Sequence, residues 1–157
     1  MTRLALSLLT RLGLVLCVFM AAGCLSIEPP PDFVEREEYD WSSYAYRALN
    51  ADAVVLGVRE IHEDKEASLG FWTKAVKNRL QASHAYAILG EETLKVASGE
   101  TATLIRMGRE DAGVQYDYWV ALVDAGSTLY VIEAGGRREH FSKVEGALRT
   151  SIKSFSH

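Results

Sequence analysis

Val114-Gln115-Tyr116-Asp117-Tyr118-Trp119-Val120-Ala121-Leu122-Val123 is the stretch whose reading decides the fold. β-Branched and aromatic side chains dominate it, which suits a pleated strand better than a helix. Alternation sends Val114, Tyr116, Tyr118, Val120 and Leu122 to one face and Trp119, Ala121 and Val123 to the other. Both faces carry apolar residues, so both must be at least partly covered. Turn residues bracket the strand, with Glu110-Asp111-Ala112-Gly113 before it and Gly126-Ser127 after it. Strands are therefore expected over 101–107 and 129–134, and a further one over 86–97 with Gly90 at a bulge and Ser98-Gly99 as its turn. Loops this short favour antiparallel neighbours.

Upstream, the β-branched run 53–61 reads as a strand that the charged residues Glu63, Asp64, Lys65 and Glu66 bring to an end. Ser68 then stands where a helix N-cap is wanted, and Leu69, Trp72, Val76 and Leu80 follow at helical spacing, predicting a helix to about residue 81. Downstream, Gly135-Gly136 is expected to end the last strand. Phe141, Val144, Leu148, Ile152 and Phe155 recur at intervals of three and four and mark a closing amphipathic helix. The fold class is α+β, an antiparallel sheet of five or six strands packed with two main amphipathic helices.

The order of these elements, with Phe71-Trp72-Thr73 and Asn78-Arg79-Leu80 in the first helix, Leu129-Tyr130-Val131-Ile132-Glu133-Ala134 as the last strand and Ser154-Phe155 at the end, resembles the PsbP and DcrB type of α/β fold. It is also similar to a set of uncharacterised bacterial lipoproteins built on that fold. The resemblance covers roughly residues 44–156 and rests on element order, so it implies an architecture and no catalytic residue. Members of the group are mostly noncatalytic, which implies binding or assembly.

The N-terminus has a different character. Arg3 and Arg11 come without any acidic residue, an apolar stretch runs over 12–20, and Ala21-Ala22-Gly23 stands directly before Cys24. Small residues are needed where a signal peptidase threads an extended backbone. The pattern resembles a bacterial lipobox, with Ala21 where Leu is more usual. It implies cleavage after Gly23 and acyl chains, palmitate among them, on Cys24. A span would need about 20 consecutive apolar residues, and Arg11 interrupts this run. Two or three acyl chains, at about 0.8 kcal/mol per buried methylene, hold a protein on a bilayer essentially permanently. Leu25 rather than Asp after the cysteine favours the outer membrane, with the domain facing the periplasm. The expected organisation is a signal peptide over 1–23, a lipidated Pro-rich and acidic tether over 24–42, and one domain over 43–157. Pro29-Pro30-Pro31 and the acids Asp32, Glu35, Glu37, Glu38 and Asp40 suggest an extended, solvated tether, with Tyr39 and Trp41 either packing on the domain or touching headgroups.

Composition narrows the function. Of 17 basic residues two lie in the leader, which leaves 15 against 21 acidic ones, a mature charge of -6. A domain of that sign is poorly suited to nucleic acid. Cys17 leaves with the leader and Cys24 becomes a thioether, so no disulfide, thiolate nucleophile or Cys-bound metal is available. His62, Glu63, Asp64 and Glu66 are metal-ligand types in one loop, but carboxylates before a helix also complement its dipole, and no metal or other cofactor is expected. His84 and His140 read as surface residues.

Two low-contrast sites remain. Gly135, Gly136, Arg137 and Arg138 place glycines and cations at a strand-to-helix junction, a pattern able to cradle an anion. Tyr116, Tyr118, Trp119 and Tyr130, with Arg106 on the neighbouring strand, offer either a platform for sugar rings or ordinary core packing. No nucleophile elbow, helical His pair or spaced carboxylate pair is present, so no enzyme activity is expected. The sequence thus reads as a membrane-anchored lipoprotein whose domain is a noncatalytic binding or assembly module with a protein partner in the cell envelope. The alternative is a binder of a small anionic or glycan ligand.

Overall fold

The computed structural model describes residues 25–36, 43–62 and 67–157. The leader, Cys24, Tyr39, Trp41 and the acids Glu63, Asp64 and Glu66 lie outside the described residues. Within them the order is β1 Val34–Glu35, β2 Tyr46–Leu49, β3 Val55–His62, α1 Leu69–His84, β4 Ala87–Lys95, β5 Thr101–Asp111, β6 Val114–Asp124, β7 Thr128–Arg137 and α2 Arg138–Ser154. The strands form one sheet in the order β1-β2-β3-β7-β6-β5-β4, antiparallel throughout. The α+β class is as expected, while the strand count is seven rather than five or six. The excess is β1 and β2, whose two and four residues are too short to show a period.

Each face of the sheet carries one helix. Trp119, Ala121 and Val123 of β6 join Leu56, Val58, Ile132 and Ala134 in the core under α2, which contributes Phe141, Leu148 and Ile152. Val120 and Leu122 join Ile105, Met107, Leu129 and Val131 on the other face, where Leu69, Trp72, Val76 and Leu80 of α1 lean on them. The two helices pack to different depths. α2 buries four residues fully, whereas α1 buries Thr73 alone. At about 25 cal/mol per Å² of apolar surface, the α1 layer is held much less firmly.

Local chemistry explains the ends of α1. The Ser68 side chain accepts a hydrogen bond from the Phe71 N–H, and Ala85 turns left-handed at φ 53 with its N–H on the Leu80 carbonyl. The ladder between β4 and β5 shifts register between Ile88 and Gly90, which leaves Leu89 as the extra, exposed residue.

Two expectations need correction. Residues 25–36, read as tether, are partly built into the domain. Ile27 and Phe33 are 6% and 9% exposed within the α2-side core, and Val34 and Glu35 pair with Leu49 and Ala48. Ser26 and Ser156 exchange backbone hydrogen bonds of 2.9 Å, and the Glu28 N–H donates to Ser154 Oγ. Burial of two large apolar side chains outweighs the solvation of the few acids beside them. Gly135 and Gly136, in turn, do not end a strand. They pair with Tyr118 and Asp117 inside the ladder, β7 continues to Arg137, and α2 starts at the next residue.

Candidate functional site

Because α1 stands off the sheet, a cleft of about 420 Å³ opens between them. Trp72, Val76 and Leu80 wall it on the helix side, and Val120, Leu129 and Val131 on the sheet side. A hollow of that size with mainly apolar walls falls in the range of small-molecule sites.

Its floor is polar. Arg59 on β3 and Glu133 on β7 occupy one face of adjacent strands and approach to 2.8 Å, Arg59 Nε to Glu133 Oε2. The approach is not along the N–H direction, so the contact is an ion pair rather than a directed hydrogen bond. The Tyr118 hydroxyl donates to Glu133 Oε1 at 2.5 Å, and Arg59 Nη2 donates to the Tyr44 hydroxyl at 2.6 Å. The Arg59 guanidinium also lies 4.3 Å from the Tyr44 ring centre. Two glycines make room for the tyrosines. A Cβ on Gly57 would meet the Tyr44 ring at 2.7 Å, and one on Gly135 would meet the Tyr118 ring at 2.9 Å.

Burial, reinforced by the charge of Glu133 and the hydrogen bond to it, raises the Tyr118 phenol far above its usual value. Burial likewise raises Tyr44, and raises Tyr46 to about 12 with Glu35 adding to the effect. Glu133 thus accepts from Tyr118 at Oε1 and faces the Arg59 guanidinium with Oε2.

These shifts have a defined consequence for stability. A phenol whose folded pKa exceeds the unfolded value near 10 stabilises fully below that pH, and the contribution is lost as pH climbs toward the folded value. The midpoint of urea unfolding is therefore expected to hold steady to about pH 9 and to fall between roughly pH 10 and 12, with Tyr118→Phe flattening the decline. Equal declines in the two proteins would show that Tyr118 ionises freely in the fold.

The rim at the C-terminal half of α1 carries a cation, Arg79. Arg79 and His84 line the mouth, both exposed, and Arg79 has no ion-pair partner among the described residues. Apolar walls under an unpaired cation suit a ligand with an apolar body and a negative group. Sequence reasoning left Arg59 and Glu133 unremarked. Their signal was parity, since each occupies a cleft-facing position of a strand whose neighbours on that face, Ile61 and Val131, are apolar.

The residues singled out from sequence are distributed elsewhere. Tyr118 joins the cleft floor, and Tyr116 lies beneath Arg109, whose guanidinium is 5.5 Å from its ring centre. Trp119 is 3% exposed on the opposite face, edge-on to Phe141 at 5.2 Å and beneath Arg149. Tyr130 stacks on His157 at 4.8 Å on that same face. The four aromatics are divided between two sides of the sheet, so no common platform exists.

At the strand-to-helix junction, Arg138 grips Asp117 through Nε at 3.0 and 3.2 Å and Nη2 at 2.7 Å, and Arg137 is exposed. Gly135 and Gly136 lie in the ladder, so these four residues do not form a loop cradle. His140 is half-buried between Asp52 and Glu139, at 3.4 and 3.1 Å. Among the described residues no three His, Cys, Asp or Glu side chains gather as a metal site would require.

No family model matches this sequence, and no curated protein matches it at a significant level. Solved structures do match. LpqN of Mycobacterium tuberculosis, involved in cell envelope biogenesis, superposes with a TM-score of 0.63 at 10% identity, covering 87% of this chain and 85% of that one. Cyanobacterial PsbP from Synechocystis sp. PCC 6803 gives 0.56 at 12% identity, over 92% of this chain and 97% of its own. The protein Mog1 gives 0.56 at 16% identity, over 83% and 89%. At such identities the likeness is one of fold, and the fold is PsbP-like, as the element order suggested.

Proposed function

We propose that this chain is a lipid-anchored protein of a bacterial cell envelope, that its domain is a noncatalytic binding module serving an envelope complex, and that the cleft beneath α1 is its binding site. The observation that carries the reading is the cleft itself, a hollow of about 420 Å³ with mainly apolar walls between a shallowly packed helix and a polar floor. Ala21-Ala22-Gly23-Cys24 supports the anchor. Leu25 after the cysteine supports the outer membrane, with the domain in the periplasm. The role of LpqN in envelope biogenesis is that protein's own, and it agrees with an envelope location and says nothing of which membrane. No helix among the described residues is long and apolar enough to cross a membrane.

The chemistry favours a partner group that is apolar with one negative charge. Such a group would lay its body against Trp72, Val76, Leu129 and Val131 and its charge toward Arg79 and His84. For the small-anion alternative, the commitment of Arg138 to Asp117 favours the cleft mouth over Gly135–Arg138.

Anilinonaphthalene sulfonate, an apolar anion, is a direct probe. The folded protein is expected to bind it with blue-shifted emission at neutral pH. Val76→Trp, which fills the cleft, should weaken that binding at least tenfold, while costing about 1–3 kcal/mol of stability at most. Arg79→Ala with His84→Ala should weaken it several-fold. Unchanged emission in the folded Val76→Trp protein would remove the cleft as the site.

A further inference from the structure

The Ser26–Ser156 bridge fixes more than a segment of chain. Ser26 is two residues from Cys24, and each residue spans at most about 3.6 Å, so an acylated Cys24 would lie within roughly 8 Å of a doubly hydrogen-bonded position on the domain. Beyond it, Glu28 is tied to Ser154, and Ile27 and Phe33 are buried. A flexible tether would let the domain tumble above the bilayer. This one has almost no slack.

The register shows which end of the sheet is held. Ser156 follows the C-terminus of α2, and the Phe155 carbonyl accepts from the N–H groups of Ala97 and Ser98 in the β4–β5 turn. At the same end β3 finishes at His62 opposite Thr128, and the β6–β7 turn carries Ser127. α1 also starts there, because it leaves from the end of β3 and delivers the chain to Ala87, opposite Gly108 toward the far end of β5. Phe71, in the first turn of α1, is 58% exposed. An exposed aromatic at the anchored end is the residue type that settles at a membrane interface. The opposite end, with the β5–β6 hairpin at Ala112, is about 33 Å away along the eleven residues of β6.

We propose that the domain lies on the bilayer by one defined end, formed by Ser26 and Ser156, the β4–β5 and β6–β7 turns and Phe71, and presents the β5–β6 hairpin outward. This rests on the acylation of Cys24 proposed above. The C-terminal half of α1, with Arg79 and His84 at the cleft mouth, then faces away from the lipid. The mouth is left open to a partner in the aqueous phase.

The test uses the full chain made in a host that processes lipoproteins, labelled with radioactive palmitate and reconstituted into phosphatidylethanolamine–phosphatidylglycerol vesicles. The mature chain has no thiol besides Cys24, so Ser127→Cys and Ala112→Cys each carry one fluorophore cleanly. Ser127 is exposed, and Ala112 already holds the left-handed backbone, so neither change disturbs packing. Headgroup-spin-labelled lipid is expected to quench the Ser127 probe at least threefold more than the Ala112 probe, and Phe71→Ser should reduce that contrast. Equal or reversed quenching in a palmitate-labelled chain overturns the orientation and leaves the anchor standing. Absence of palmitate from the chain overturns both.

Discussion

Ile27→Ala is expected to lower the unfolding free energy by about 2–4 kcal/mol and Phe33→Ala by about 3–5 kcal/mol, measured by urea denaturation with tryptophan fluorescence. Both side chains belong to the buried cluster that includes Phe141, Leu148 and Phe155. Each deletion removes transfer free energy and leaves a cavity, so the two effects combine. In a merely solvated tether, neither change would register. A midpoint within experimental error of the parent for both variants would return residues 25–36 to the status of linker. It would also restore the slack that the docked segment removes.

The second large effect is expected at Glu133. Glu133→Leu should destabilise by about 2–4 kcal/mol, because it strands the Tyr118 hydroxyl without an acceptor and leaves Arg59 without its counter-charge. Glu133 is only 14% exposed in its side chain, whereas Arg59 keeps 38% and can recover hydration. Arg59→Met instead leaves the more buried Glu133 carboxylate without its counter-charge and should therefore cost at least as much. Combining Glu133→Leu with Tyr118→Phe should recover part of the loss, since an unpaired buried donor disappears along with its acceptor. Strict additivity in that double variant would mean that Tyr118 and Glu133 do not interact in solution. The same variants bear on function, because Arg59, Glu133 and Tyr118 form the cleft floor.

Much of this architecture is legible in the chain wherever a period is long enough to be read. The ten residues from Val114 carry apolar side chains on both faces, and each face is covered by a helix. Ser68 caps α1 as its position suggested, and Leu69, Trp72, Val76 and Leu80 do face the sheet. Ile27 and Phe33 were not legible because single apolar residues among prolines and acids have no period, and this segment is fixed by contacts more than 100 residues away, such as Ser26 with Ser156. β2 was not legible because its four residues are too few to show a period.

The site was harder still. Gly135-Gly136 looks like a terminator because glycine is the usual stop, yet a Cβ at Gly135 would strike Tyr118 and one at Gly136 would come within 3.0 Å of Val54. These glycines serve close approach rather than a turn. For the aromatic quartet, parity within β6 already separates Tyr118 from Trp119. The pairing of Val123 with Tyr130 then puts Tyr130 on the Trp119 side, and only the register reveals that. The cleft depends on how far α1 stands from the sheet, a distance set by packing between elements that no local pattern encodes.

Attachment of the domain to a bilayer through Cys24 is the central proposal. Intact mass spectrometry of the chain extracted from native membranes tests it directly. The expected species begins at Cys24, lacks residues 1–23 and carries the added mass of two or three acyl chains. A polypeptide of unmodified mass, whether it begins at Met1 or after any cleavage, would contradict it.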